Sequence, residues 1–257
     1  MTLPISANLG FLWVDIPLPD RIRAAKAASF DAVECHWPYE HPAEEIAAVL
    51  DETGLRMLGI NTILGPEGLF GLAAVPGFEA DAKAAIDQAV TYAAAINARH
   101  INVVGGLTDG GAEAEAVFRA NLAYAATEAA NHDLMIVIEA LNPRSVPGAH
   151  VWSQDAALET VKAVGAPNLK IMLDFFHAQI VQGDLETLFR ENLDLIGHIQ
   201  FAAVHDRGEP DEGELNFPYI FAALETAGYT DHIGAEYKPR GESVEAGLGW
   251  MKAYRNT

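Results

Sequence analysis

The feature that most constrains this chain is an alternation repeated eight times, in which a short run rich in Ile, Val and Leu is followed by a longer, Ala-rich segment of helical character. The strand candidates are Pro4 to Asn8, Ala32 to His36, Arg56 to Ile60, His100 to Val104, Leu134 to Glu139, Leu169 to Asp174, Ile196 to Phe201 and His232 to Glu236. The helix candidates are Leu18 to Ala28, Pro42 to Thr53, Phe78 to Ile96, Ala112 to Asn131, Gln154 to Val164, Leu185 to Glu191, Pro218 to Ala227 and Val244 to Tyr254. Gly54, Gly165 and Gly228 follow three of these helices, where a left-handed residue would end each one. Repeated βα units build a parallel sheet. Eight of them, with no linker or shift in composition, predict one closed (β/α)8 barrel over residues 1–257. An open doubly wound sheet is the runner-up, but SANLGFLW after the first strand lacks the G-x-G-x-x-G turn that would support it.

Half of the residues are hydrophobic, enough for a large core. No apolar run approaches the roughly 18 residues of a membrane helix, so a soluble protein with no membrane partner is expected. The opening MTLPISANLGFLW has neither a basic n-region nor a cleavage site and reads as a first strand, which predicts a cytoplasmic location. A net charge of −20 repels polyphosphate backbones and argues against nucleic acid as a partner. Much of that charge lies on solvated helix faces such as HPAEEIAAVLDE and GFEADAKAAIDQ. The single cysteine, Cys35, excludes an intrachain disulfide and reads as a buried bystander. Whether the chain forms a homo-oligomer is left open by the sequence.

Four successive strand candidates stay apolar until a ligand-type residue at their end: VIE at Glu139, MLD at Asp174, HIQ at Gln200 and GAE at Glu236. Any one of these could be a helix cap or a turn residue. As a series they are harder to dismiss, because strands disfavour Asp and Glu. In a parallel barrel the ends meet in one pocket, where crowded carboxylates cannot all stay ionised without a cation. The oxygen-only set points to Mg²⁺ or Mn²⁺ over zinc. Long connections after strands, at 61–76, 142–152 and 202–217, should form the rim. His177 lies three residues past Asp174 on the pocket side, and Arg207 is one of only 16 basic residues, with a planar fork that suits a substrate carboxylate. His150 and His205 are weaker candidates of the same kind. Lys238 shares the side of Glu236 if its strand continues.

The stretches SANL, IEALN, PGAH, NLKIMLDFFH, GHIQ, RGEP…GELN, EYKP and EAGLGWM resemble the hydroxypyruvate isomerase family, which belongs to the xylose-isomerase-like TIM barrels. The resemblance runs over nearly the whole chain. It implies that Glu139, Asp174, Gln200 and Glu236 bind the metal, and that Glu139 and Glu236 also donate and accept the proton. It further implies that His177 and Arg207 contact substrate oxygens, with Asn8, His150 and Lys238 as further substrate-binding candidates. Glutamine at position 200, where ketose 3-epimerases usually have histidine, leans toward the 2-oxo acid isomerases. The pattern is broken at Ile60, which replaces a histidine, at Leu107, in a loop lacking a usual lysine, and at Ala203, which replaces an aspartate. All three are expected on the rim, where they would bear on the substrate.

The implied reaction exchanges carbonyl and hydroxyl on a short hydroxy-carbonyl acid through an enediolate, as in the isomerisation of hydroxypyruvate to tartronate semialdehyde. One glutamate removes a proton and the other returns it to the neighbouring carbon, while the metal stabilises the developing charge. A ketose 3-epimerase, a dehydratase on the same barrel, and a barrel that binds a sugar acid without turnover are the alternatives.

Overall fold

The computed structural model describes residues 3–255. Its strands are β1 (Ile5–Asn8), β2 (Ala32–Glu34), β3 (Arg56–Met57), β4 (Gly59–Asn61), β5 (His100–Asn102), β6 (Met135–Glu139), β7 (Leu169–Asp174), β8 (Ile196–Phe201) and β9 (Ile233–Ala235). Its helices are α1 (Leu18–Ala27), α2 (Ala43–Thr53), α3 (Glu79–Ala95), α4 (Ala112–Ala130), α5 (Gln154–Val164), α6 (Phe175–Val181), α7 (Leu185–Asn192), α8 (Phe217–Ala227), α9 (Val244–Gly247) and α10 (Gly249–Arg255).

All strand pairings are parallel, in the order β3-β2-β1-β9-β8-β7-β6-β5-β4. Segments β3 and β4 are two halves of one barrel strand, interrupted at Leu58. The Leu58 N–H donates to the Val33 carbonyl at 2.8 Å, and the Leu58 carbonyl accepts from the His100 N–H at 2.8 Å. Both neighbours are thereby tied to the same residue and the eight-stranded ring closes, giving a single TIM barrel. Three helices end as expected, with Gly54, Gly165 and Gly228 left-handed at φ 67°, 68° and 91°.

Two departures from the sequence reading bear on the site. Residues after Asp174, assigned to no element in the sequence, form helix α6, with Asp174 Oδ1 accepting the Phe176 N–H at 2.8 Å as its N-cap. Strand β9 stops at Ala235, so Glu236 and Lys238 stand on irregular backbone beyond it.

The apolar core fills the shell between sheet and helices, with Ile5, Ile22, Val33, Ile86, Ile101, Leu122, Ile138 and Phe221 at its centre. Inside the ring the picture differs. Because side chains alternate along a strand, the inward residues come in pairs two apart: Ser6 and Asn8, Glu34 and His36, Gly59 and Asn61, His100 and Asn102, His198 and Gln200, Gly234 and Glu236. The first of each pair lies in a floor and the second at the mouth. On the two remaining strands Val137 and Met172 lie beneath Glu139 and Asp174, so the floor of this barrel sets two apolar side chains beside Ser6, Glu34, His100 and His198 where branched aliphatics are usual throughout. Among the described residues, no helix is long and apolar enough to cross a membrane.

Candidate active site

A cavity of about 340 Å³ opens at the C-terminal ends of the strands. Its polar side carries Glu139, Glu236, His177, Arg207, His36 and Asn102. The opposite wall is apolar and comes from the long loops, with Leu64 and Phe70 from 61–76 and Val146 and Val151 from 142–152. Beneath the mouth lies a pocket of about 10 Å³ touched by Glu139, Gln200, Glu236, Asn8 and Asn102. It has room for about one water-sized group.

The three acids are crowded. Burial, and then the charges of Glu236 and Asp174, push the Glu139 carboxyl well above the usual carboxylate range, against the pull of Arg207 and Asn102. Burial raises Asp174 to about 7, with Arg207 opposing and Glu236 adding to the rise. Burial also works against ionised Glu236, but Arg207 and His36 outweigh it and hold this group below the usual range. Glu236 is held on every side: Asn8 Nδ2 donates to Oε1 at 2.9 Å, His36 Nε2 lies 2.8 Å from the same oxygen, and Arg207 Nη2 donates to Oε2 at 2.5 Å. Asn102 Nδ2 donates to Glu139 Oε2 at 3.3 Å.

Arg207 sits between the rings of Phe11 and Phe176, 4.8 and 5.0 Å from their centroids, with its Nη2 also 3.3 Å from Asp174 Oδ2. Among the described residues it is the one Lys or Arg lining the cavity, and it serves here as counter-cation to the acids. Burial disfavours its charge, but the three acids more than compensate and raise its pKa.

His177 reads clearly. Its Nδ1 accepts the Asn142 backbone N–H at 2.8 Å, so a neutral ring carries its proton on Nε2. Burial, reinforced by Arg207, lowers its pKa to about 3 and keeps it neutral. Nε2 is buried without a partner, 3.7 Å from Glu139 Oε1 and 3.6 Å from Asp174 Oδ2. Glu139, Asp174 and His177 lie close enough for a shared ion. A protonated Nε2, however, offers a hydrogen bond and no lone pair, which makes His177 a donor to a bound oxygen.

The residues fit a divalent cation at the three acids and Gln200. The Gln200 Oε1 is buried without a hydrogen-bond partner, while its Nε2 donates to Glu34 Oε2 at 2.8 Å. One unsatisfied buried oxygen beside acids that burial and mutual repulsion hold toward protonation is the donor set a hard cation would satisfy.

The other candidates separate. Asn8 is 1% exposed and committed to Glu236 and the Gly10 N–H, so it orients a carboxylate and is not free to meet substrate. His150 lines the cavity, but its nitrogens are taken by Thr108 Oγ1 at 2.8 Å and Glu115 Oε2 at 2.9 Å, leaving ring carbons to face inward. Lys238 is exposed outside the cavity, its N–H bound to the Arg207 carbonyl at 2.7 Å. His205 does not line the cavity; its carbonyl accepts from Arg144 at 3.2 Å. The expectation that Ile60, Leu107 and Ala203 shape the rim is corrected. Ile60 and Ala203 are fully buried, because Asn61 takes the inward register on the third strand and the Ala203 N–H turns to the Gly208 carbonyl. Leu107 lines a separate cleft.

The sequence reading does not single out His36, Asn61, Asn102 or Glu34. The first three lie at or just past strand ends in the first half of the chain, and so carry the same signal that marks the acids and amide of the second half.

The class is set by fold and sequence together: the chain belongs to the xylose isomerase-like TIM barrel family, which it matches over residues 22–254. It is 43% identical over 254 residues to the 2-oxo-tetronate isomerase of Pectobacterium atrosepticum, with 97% of each chain covered. It is 35% identical to the hydroxypyruvate isomerase of Escherichia coli K12, covering 98% of this chain and 100% of that enzyme. A solved structure from Brucella melitensis, described as AP endonuclease, family 2, superposes with a TM-score of 0.95 at 38% identity, with 99% of each chain covered. The implied kinship with hydroxypyruvate isomerases therefore holds, and the chain is an enzyme of the isomerase class.

Proposed function

We propose that the protein isomerises a short 2-oxo acid, hydroxypyruvate or its four-carbon homologue 2-oxo-tetronate, by moving a proton between adjacent carbons. The observation that carries this reading is the pair Glu139 and Glu236, which face one small cavity with their pKa values pushed in opposite directions. Carboxyl groups held apart in this way divide into acid and base. Glu236, kept ionised by Arg207 and His36, removes the C–H proton. Glu139 delivers a proton to the neighbouring carbon, the hydroxyl proton passes to the former carbonyl oxygen, and the enediolate collapses with carbonyl and hydroxyl exchanged. His177 donates from Nε2 to a substrate oxygen. Arg207 receives the substrate carboxylate, being, among the described residues, the one guanidinium or ammonium group on the cavity lining.

A divalent ion, Mg²⁺ or Mn²⁺, held by Glu139, Asp174, Gln200 and Glu236, would supply Lewis-acid stabilisation of the charge that develops on the substrate oxygens. The relatives named 2-oxo-tetronate isomerase and hydroxypyruvate isomerase support the substrate class. A nuclease activity suggested by the Brucella structure's description is disfavoured by the charge of −20 and by a cavity lined by two acids and one arginine.

The test is turnover of both acids in D₂O with Mg²⁺ or Mn²⁺, followed by proton NMR. Isomerised product with deuterium at the newly protonated carbon is expected. Glu139→Gln and Glu236→Gln should each lose roughly 10²–10⁴-fold in kcat, the range typical of general acid–base groups. Full turnover in either variant would sink the two-glutamate mechanism, and epimerised ketose as the sole product would favour the 3-epimerase reading.

A further inference from the structure

Gln200 raises a question of direction. A primary amide can point either end at a pocket, and the two ends are nearly the same shape. Only its oxygen can bind a cation. At the end of β8 the side chain is 2% exposed, so solvent does not decide which end faces the acids.

The barrel floor decides it. Glu34, on β2, reaches across the ring so that its Oε2 accepts from Gln200 Nε2 at 2.8 Å. A carboxylate only accepts, so the amide must turn its nitrogen down to the floor and its oxygen up. Glu34 is itself fixed, because Ser6 Oγ donates to its Oε1 and His198 Nε2 lies 2.9 Å from that same oxygen. The crossing needs space that another residue would fill. A Cβ at Gly234 would collide with Glu34 Oε1 and stand 3.0 Å from Gln200 Cγ. Gly59 clears room in the same way for His100, whose ring stacks 4.8 Å from that of His198. Residues of β1, β4, β5, β8 and β9 thus surround one carboxylate on β2, and the outcome is the unpartnered Gln200 Oε1 beside Glu139 and Glu236.

We infer that Glu34 is a positioning residue that aims the Gln200 carbonyl oxygen at the divalent cation, and so sets the neutral oxygen ligand of the site. The inference rests on the metal-binding reading proposed above, and its test separates the two.

Mn²⁺ affinity is measured by electron paramagnetic resonance of the free ion, alongside the Mn²⁺-induced rise in Tm, for the wild type and for Glu34→Gln, Glu34→Asp, Gln200→Leu and the Glu34→Gln/Gln200→Leu pair. Glu34→Gln removes the obligate acceptor; Glu34→Asp keeps the charge but shortens the reach, and serves should Glu34→Gln fail to fold. Each should weaken Mn²⁺ binding by roughly 10–100-fold, the usual effect of losing a group behind a ligand. In the Gln200→Leu background Glu34→Gln should change Mn²⁺ affinity less than twofold, because the residue acts through Gln200. A merely structural Glu34 would lower the metal-free Tm with unchanged Mn²⁺ affinity, and that result overturns the inference while leaving the metal in place. Unchanged affinity in Gln200→Leu overturns it as well. A wild type that takes up no Mn²⁺ and shows no rise in Tm overturns the metal reading itself.

Discussion

Asp174 has a different task for each oxygen. Oδ1 caps α6, while Oδ2 faces Arg207 and the other acids. An amide preserves the first task and loses the charge needed for the second. In the metal-free protein Asp174→Asn should therefore keep or raise Tm at pH 8, since the folded site holds this carboxyl at about 7 against an ordinary 3.8 and penalises its ionisation. The Mn²⁺-induced rise in Tm should shrink sharply in the same variant, and thermal scans with and without Mn²⁺ check both. A pH series gives the companion result. With its folded pKa raised, Asp174 contributes stability that is fully present below 3.8 and lost as pH rises through about 7. His177 runs the opposite way, since its folded pKa of about 3 against 6.5 gives stability present above 6.5 and lost as pH falls toward 3. Above pH 6.5 the carboxyls govern. Metal binding must displace the proton that Asp174 holds up to about 7, so the Mn²⁺-induced rise in Tm should grow between pH 6.5 and 8. A flat or falling profile would contradict this ligand set. His36 belongs to the same scale: its Nε2 lies 2.8 Å from the Glu236 oxygen, so His36→Ala should lower kcat roughly tenfold or more, the worth of a hydrogen bond to a charged group, with little change in Tm. The four ligand candidates were legible in the sequence because each interrupts an aliphatic run. His36 carried a similar mark as the last residue of its candidate strand. Glu34, inside that same run, looked like one more acid in an acidic chain; only the crossing to Gln200 gives it meaning.

At the scale of elements, helix ends were the most legible feature, because a left-handed terminal residue selects glycine on local grounds alone. Gly54 has φ 67° and no atom within 4 Å of where an added Cβ would stand, so Gly54→Ala meets no clash and incurs only the backbone strain. That strain is about 1–2 kcal/mol, which should lower Tm by about 2–8 °C in a chain of this size. Helix α6 was not legible: seven residues beginning Phe-Phe-His carry too little periodicity to announce a helix, and it is the capping carboxylate and the burial of Phe175 and Phe176 that hold it. The break at Leu58 was equally hidden, since Arg56 to Ile60 reads as an unbroken strand.

Across the whole molecule, the barrel was legible because eight repeats of one unit leave few other ways to bury that much aliphatic surface. The cavity wall was not, because Leu64, Phe70, Val146 and Val151 come from loops with no period to read. The charge of −20 has its own consequence at this scale. Self-repulsion opposes the compact state, and about 0.15 M salt shortens its range to about 8 Å, so Tm should rise from low salt to 0.15 M KCl; an unchanged or lower value would show that the surface charges are already balanced by local pairs. The separation between strands and loops reaches further. Glu139 and Asp174 end strands of a hydrogen-bonded ring and Glu236 stands one residue past another, while the apolar groups facing them sit on loop segments free to lengthen or shorten. On the isomerase reading proposed above, a barrel divided in this way can exchange one acid for a homologue a carbon longer by resizing a loop, leaving the strand-end carboxylates where they are.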